Sequence, residues 1–295
     1  MITQAASLRN VVMNYVALTK PRIVAALLLT AMGGMFAAAG GLPDPSIVVA
    51  ILVGGALGAG GAQALNHYFD RDIDALMRRT SNRPVATGRI SARRALAFGV
   101  LLNVAAFIVL SSMANTLSAV LTLSATLFYV LVYTMGLKRT TPQNIVIGGA
   151  AGAIPPVVAW AAVTGEVGLE AMSMFAIVFF WTPPHFWALA LLIKDDYARA
   201  GVPMLPVVAG VAETKLHIFL YALTLAALSV LFFATGAMGW FYLGSAIGLG
   251  ALFIYYSWRL LRQPESEGAR GLYLYSLAYL ALLFTAIGVD SVLTA

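Results

Sequence analysis

Nine stretches of about twenty apolar residues, separated by short polar breaks, set the pattern of this chain. They fall near 22–41, 46–67, 95–113, 116–135, 143–163, 171–193, 216–235, 239–260 and 272–292. Each has the length a helix needs to cross a hydrocarbon core, where every backbone polar group must be satisfied internally. The pattern therefore predicts an all-α polytopic membrane protein with nine transmembrane helices. The polar breaks test that count. Every lysine and arginine falls at or before the start of the first stretch, or in or flanking a break that follows an even-numbered one. The alternate breaks hold only Asp44, Glu166, Glu170 and, at the C-terminal end, Asp290. A missed or surplus helix would scramble this separation. Under the positive-inside rule it predicts a cytoplasmic N-terminus and an outside C-terminus.

Composition sharpens the class. Of the 295 residues, 61% are hydrophobic and 10% charged, against about 25% charged in an ordinary soluble domain. There is no cysteine, which excludes a disulfide framework, a thiolate metal site and a cysteine nucleophile. The net charge of +6 is spread over membrane loops and is no nucleic-acid footprint. The first apolar stretch is too long for a signal core and is followed by more spans, so it is expected to be retained. The two longest breaks, about 68–94 and 194–215, both lie on the basic side. Each opens with carboxylates and contains turn residues. Their parallel placement predicts pseudo-halves of about 1–135 and 136–260, with a ninth helix outside them, in one domain over 1–295.

Candidate chemistry starts at Asn66-His67-Tyr68-Phe69-Asp70-Arg71-Asp72-Ile73-Asp74. On a helix, steps of four residues drift only about 40°, so Asn66, Asp70 and Asp74 share one stripe. Asp72 lies roughly 200° from Asp70 and points away. Three oxygen-bearing side chains on one stripe repel each other unless a cation sits among them. Hard divalent cations such as Mg²⁺ accept such oxygens and share coordination with substrate phosphates. The stripe therefore reads as half of a metal–diphosphate site at a membrane surface. Pairing with Arg71, Arg78 or Arg79 would explain the acids, but not their fourfold spacing.

A second acidic corner, Lys194-Asp195-Asp196-Tyr197, occupies the matching place in the other half. Adjacent aspartates sit about 100° apart, so one of the two is expected to face the first corner. Lys138 and Arg139, closing Tyr133-Thr134-Met135-Gly136-Leu137-Lys138-Arg139, are placed to neutralise a leaving diphosphate. Tyr133 is a donor to the same group or a member of the interfacial aromatic belt. Among the loop arginines, Arg78 and Arg83 are the first candidates for gathering a diphosphate. Pro155-Pro156 and Pro183-Pro184 lie mid-span at comparable depth, where each pair is expected to free a carbonyl and kink its helix. His185 follows the second pair. Two readings of it stay open: a hydrogen bond to a freed carbonyl, or a neutral imidazole that contacts a metallated macrocycle. His67 and His217 fall at predicted interfaces and receive no role.

The spacing Asn66-x-x-x-Asp70-x-x-x-Asp74 resembles the first aspartate motif of the UbiA-type intramembrane prenyltransferases. The strings from Asn66 through Arg83-Pro84, Trp181 to Trp187, and Lys194 through Pro203-Met204-Leu205-Pro206 are similar to the heme-farnesylating branch of that family. The resemblance implies Mg²⁺ held by Asn66, Asp70, Asp74, Asp195 and Asp196. It implies catalytic roles for Asn66, Asp70, Asp74, Lys138 and Arg139, and substrate contacts from His185, Arg78, Arg83, Tyr133 and Lys194. It further implies farnesyl transfer from farnesyl diphosphate to a vinyl group of heme B with hydroxyl addition. The expected site of action is a bacterial cell inner membrane, with the downstream heme-modifying enzyme as a partner. One departure stands out. Many members carry a second Asp-x-x-x-Asp, whereas Asp195 and Asp196 are adjacent, which argues against an aromatic-acid acceptor. A quinone precursor or a chlorin remains the alternative acceptor. A cation-coupled transporter is a remote one, because transporters set ionisable groups near the midplane.

Overall fold

In a computed structural model that describes residues 8–295, nine helices among the described residues are long and apolar enough to cross a bilayer. Residues 1–7 of the domain expected over 1–295 lie outside the described residues. A short helix α1 (Leu8–Thr19) precedes the first span α2 (Pro21–Ala39). The second span is α3 (Pro45–Phe69), continued after Asp70 by α4 (Arg71–Leu76). The third is α5 (Ala92–Met113). The fourth runs from Thr116 to Thr140 as α6 (Thr116–Leu127), a π-helical segment (Phe128–Leu137) and α7 (Lys138–Thr140). The fifth is α8 (Asn144–Ala153) with α9 (Pro155–Thr164), and the sixth is α10 (Leu169–Leu192). Two short helices, α11 (Lys194–Arg199) and α12 (Leu205–Val208), lead to the seventh span. That span is α13 (Gly210–Leu231) with a closing 3₁₀ turn, followed by α14 (Trp240–Arg262) and α15 (Ala269–Leu293). The nine expected spans are all present.

Local chemistry fixes the ends. Asp44 caps α3 by accepting from the Ser46 amide at 2.7 Å, with Pro45 supplying the first-turn φ. Ser91 caps α5 and Asn115 caps α6 in the same way. Asp290, expected as an outer surface acid, is instead buried. It accepts from the Gly239 and Tyr242 amides and so caps α14 from the end of α15. The seventh span starts six residues before its sequence expectation of 216. Lys215 lies inside it, buried, and its Nζ donates to the Gln263 carbonyl at 2.6 Å. A long lysine can snorkel to a carbonyl at a helix end, so a charge did not mark the boundary here.

Lipid does not squeeze helices together, so close packing and interhelical hydrogen bonds do that work. At Gly61 an added Cβ would stand 2.3 Å from Asn103 Nδ2, which lets α3 and α5 touch along their length. Asn103 in turn accepts from Thr126 at 2.9 Å and draws in α6. Leu101, Ile108, Leu231 and Ile247 point outward, as lipid-facing positions do. α10 is, with the fifth span, among the most enclosed helices and packs on α8, α13 and α15. The ninth span α15 lies against both α2 and α10, joining the first span to the sixth. The two proline pairs differ from expectation. Pro155 and Pro156 open α9 after a break at Ile154, whereas Pro183 and Pro184 lie within an uninterrupted α10.

Candidate active site

The polar stripe keeps its helical logic across the junction of α3 and α4. Asp70 leaves helical geometry (φ −91°, ψ 4°), but its amide still bonds the Asn66 carbonyl at 2.9 Å. The Asp74 amide bonds the Asp70 carbonyl at 2.7 Å. Asn66, Asp70 and Asp74 are all buried, at 3, 0 and 2% exposure. Asn66 Nδ2 donates to Asp70 Oδ2 at 2.7 Å and contacts Thr134 Oγ1 at 3.2 Å. Lys138 Nζ donates to the same Asp70 oxygen. Arg83 Nη1 reaches both oxygens of Asp74, at 2.7 and 2.8 Å. The acids are thus matched by distant cations, not by the neighbouring arginines. Arg71 instead bonds the Tyr68 carbonyl and lies over the Tyr68 ring.

Lys20 joins this centre although sequence reasoning placed it only among the loop charges. Its Nζ donates to Gln63 Oε1 at 2.8 Å and to Asn66 Oδ1 at 2.9 Å. Its backbone is left-handed (φ 50°) immediately before Pro21, a conformation that costs a non-glycine residue about 1–3 kcal/mol. The side-chain bonds hold it there. Burial and the neighbouring Arg83 guanidinium push the Lys20 ammonium well below the usual lysine range. Gln63 extends the stripe one turn deeper, three residues before Asn66, and Tyr129 also donates to it at 3.4 Å. A polar residue at that helical offset in an apolar run was a readable signal. Lys20 had only its place beside a proline.

The π-helical segment positions the fourth span's contribution. Thr134 Oγ1 bonds the Tyr129 carbonyl five residues back at 2.9 Å and faces Asn66. Such segments recur at functional sites because they shift the register of the helix beyond them. Lys138 and Arg139 then diverge. Lys138 turns to Asp70, while Arg139 grips the exposed Asp72 at 2.7 and 2.8 Å and the Phe69 carbonyl at 2.9 Å. The Arg139 hydrogen bond holds the Asp72 carboxyl down at about 2. Arg139 is therefore not brought to the inner stripe. Tyr133 packs into the apolar cluster between the corners, its ring resting where a Cβ on Gly148 would stand 2.2 Å away.

The two corners converge. The Arg79 amide contacts Asp196 Oδ2 at 3.4 Å, and Ile73 and Met77 share a core with Tyr197, Val202 and Met204. Asp196 is buried and bonds Arg199, whereas Asp195 is exposed. Burial raises the Tyr197 hydroxyl above its ordinary range. Lys194 is half-buried, and Arg78 is exposed beyond the ring of inner contacts. His67, given no role from sequence, is 2% exposed with both ring nitrogens unpartnered. His217 is at the surface beside Glu213.

Around Asp70, Asp74 and Asp196 stand the basic side chains of Lys20, Arg83, Lys138 and Arg199. Such a centre suits an anion whose charge a divalent cation only partly cancels. The donor set, carboxylate and amide oxygens, suits a hard cation. Asp70 Oδ1 is buried without a partner and is an oxygen left for one. Among the described residues no three acids or histidines are already gathered as a metal cluster, because basic groups hold each carboxylate.

Deeper in α10, ahead of the second corner, His185 sits in an aromatic cleft. Its ring stacks on Trp181 at 4.3 Å and Tyr273 at 5.0 Å, with Phe186 edge-on. Of the two readings left open for it, the bond to a proline-freed carbonyl is absent among its contacts. Nδ1 meets the Ser276 hydroxyl at 2.7 Å instead. Ser276 and Tyr273 belong to α15, a helix to which sequence reasoning gave no chemistry. A serine in an apolar span carries no sequence signal of such a contact.

Residues 27–285 match the model of a family described as the UbiA prenyltransferase family. A protein named protoheme IX farnesyltransferase from Gloeobacter violaceus is 50% identical over 280 residues, covering 95% of this chain and 92% of that protein. One of the same name from a Roseiflexus species is 50% identical over 282 residues, 96% of this chain and 53% of that protein. The chain thus spans about half the length of the Roseiflexus and Chloroflexus relatives it matches. Among solved structures, a digeranylgeranylglyceryl phosphate synthase superposes with a TM-score of 0.78 at 18% identity, over 95% of this chain and 98% of that one. A UbiA homologue from Archaeoglobus fulgidus bound to GPP and Mg²⁺ gives 0.62 at 19% identity, over 93 and 99%.

Proposed function

This chain belongs to the UbiA prenyltransferase family, and on that basis we propose that it farnesylates heme. The reaction moves the farnesyl group of farnesyl diphosphate to a vinyl group of heme B, with hydroxyl addition, and gives heme O. The observation that carries the diphosphate half is the convergence of two acidic helix ends, each carboxylate met by a basic side chain. The name shared by relatives about 50% identical supports heme as acceptor, as does a histidine flanked by aromatic rings.

Asn66, Asp70, Asp74 and Asp196 are the residues that would hold Mg²⁺. When bound, the ion supplies Lewis-acid stabilisation of charge on the diphosphate oxygens. Lys20, Arg83 and Lys138 bind that diphosphate through the N–H groups left over from their bonds to Gln63 and Asn66, to Asp74 and to Asp70. As the carbon–oxygen bond breaks, its electron pair leaves with the diphosphate, and these fixed cations stabilise the charge without reorganisation. The allylic cation left behind is attacked by the vinyl π-electrons. Water then captures the carbocation next to the ring as the hydroxyl and loses a proton. An apolar groove of about 350 Å³ begins at Thr19 and Pro21, on either side of Lys20, and continues past Leu28, Leu57 and Phe98. It is suited to an isoprenoid tail whose head lies at Lys20, away from water that would quench the cation. The distribution of basic residues supports a site on the cytoplasmic face, and the proposed membrane is a bacterial inner one.

The test is incubation of the purified chain with heme B, farnesyl diphosphate and Mg²⁺, with products analysed by mass. Heme O is the expected product, and Asp70→Ala is expected to abolish it while still inserting in the membrane. Heme O formation by Asp70→Ala at the parental rate would overturn the assignment.

A further inference from the structure

The contacts of His185 fix more than its position. The Ser276 hydroxyl has one hydrogen and lies 2.7 Å from two atoms, the Tyr273 carbonyl oxygen and His185 Nδ1. A carbonyl only accepts, so the serine hydrogen goes to Tyr273. The second contact is then a hydrogen bond only if the ring donates, which places the proton on Nδ1. A neutral imidazole carries one N–H, so Nε2 is left with a bare lone pair. Ring rotation is opposed by the stack with Trp181 and Tyr273. Trp181 is itself pinned, its Nε1 donating to the Ser276 carbonyl at 2.8 Å. One residue of α15 therefore sets both the proton position and the neighbouring plane. Nε2 makes no hydrogen bond and is not among the sealed, unpartnered atoms, and His185 keeps 8% of its surface accessible.

We propose that Ser276 is a positioning residue that holds His185 as the Nδ1–H tautomer and so presents Nε2 as a ligand to the iron of the heme substrate. This rests on heme as the acceptor. Metal-bound histidines characteristically donate their other N–H to a fixed acceptor, which orients the ring and raises ligand basicity; losing that acceptor costs about 10–100-fold in affinity. Here a serine already tied to the backbone is that acceptor.

The full chain in detergent, titrated with heme B without farnesyl diphosphate, tests it by affinity and by the iron–histidine stretching frequency of the ferrous complex. Ser276→Ala is expected to weaken heme binding about tenfold and lower the frequency. Ser276→Thr, which keeps the hydroxyl, is expected to restore both, and His185→Ala to abolish the stretch. A Ser276→Ala protein with parental affinity and frequency overturns the role of Ser276. So does a parental complex with no iron–histidine stretch. In either case, continued conversion of heme B to heme O shows that the heme-farnesylating reading survives. If the parental chain neither binds nor converts heme B, both readings fall together.

Discussion

The two acidic corners differ in how their carboxylates are held. In the first, Asp70 and Asp74 are buried and paired with residues brought from other helices and from the far side of the loop, Lys138 and Arg83. Asn66 is tied to Lys20 from before the first span. In the second, Asp196 pairs with Arg199 three residues on, its partner is largely exposed, and its neighbour Asp195 faces out. The first corner is thus built by the whole bundle and the second mostly by itself. A group fixed by half-buried partners from distant segments has little room to relax when substrate binds, so its charge is preorganised. A group held by a local surface pair moves more freely. From this contrast we propose that the first corner stabilises the departing diphosphate and the second closes over it.

The most severe test of this division of labour is Asp70→Ala, expected to lower kcat by about a thousandfold or more, read as heme O per unit of membrane-inserted protein. Next is Lys138→Met, expected to lower kcat about a hundredfold with a smaller change in KM, because its cation acts on developing charge. Asp196→Ala is expected to cost only about tenfold, mostly in KM for farnesyl diphosphate, since a closing element contributes to binding. Kinetics in which Asp196→Ala outweighs Lys138→Met would reverse the roles of the corners. The smallest effect is expected from Asp72→Asn. The Arg139 bond puts the Asp72 carboxyl at about 2, below its unfolded value of about 3.9. Its pairing therefore contributes fully above that unfolded value and is lost as pH falls toward 2. Between about pH 5 and 8 the group does not titrate. Asp72→Asn should leave the pH–rate profile unshifted and change kcat/KM by less than about threefold, as exposed pairs do. A shifted profile would place Asp72 inside the site.

Much of this was legible without coordinates, for identifiable reasons. Spans follow from runs of apolar residues, and the charge asymmetry of the breaks checks their number. The stripe of Asn66, Asp70 and Asp74 survives a break in the helix at Asp70, because the i to i+4 backbone bonds continue on both sides. One aspartate of the Asp195–Asp196 pair was expected inward from helical angle, and Asp196 is that one. Where expectation failed, a single residue overrode the local rule. Lys215 looked like a boundary but reaches a carbonyl from within a span. Asp290 looked like a surface acid but caps another helix.

The membrane class, the nine crossings and the chemistry of the motif faces are written in the chain itself, because each depends on periodicity within one segment. Which cation meets which acid is settled only when the helices assemble. Lys20 and Asn66 are 46 residues apart, Lys138 and Asp70 are 68, and His185 and Ser276 are 91. Such pairings are set by which helices lie side by side and by the π-helical register ahead of Lys138 and Arg139. In lipid, that arrangement comes from close packing at small residues and from interhelical hydrogen bonds, and neither leaves a periodic mark along the chain.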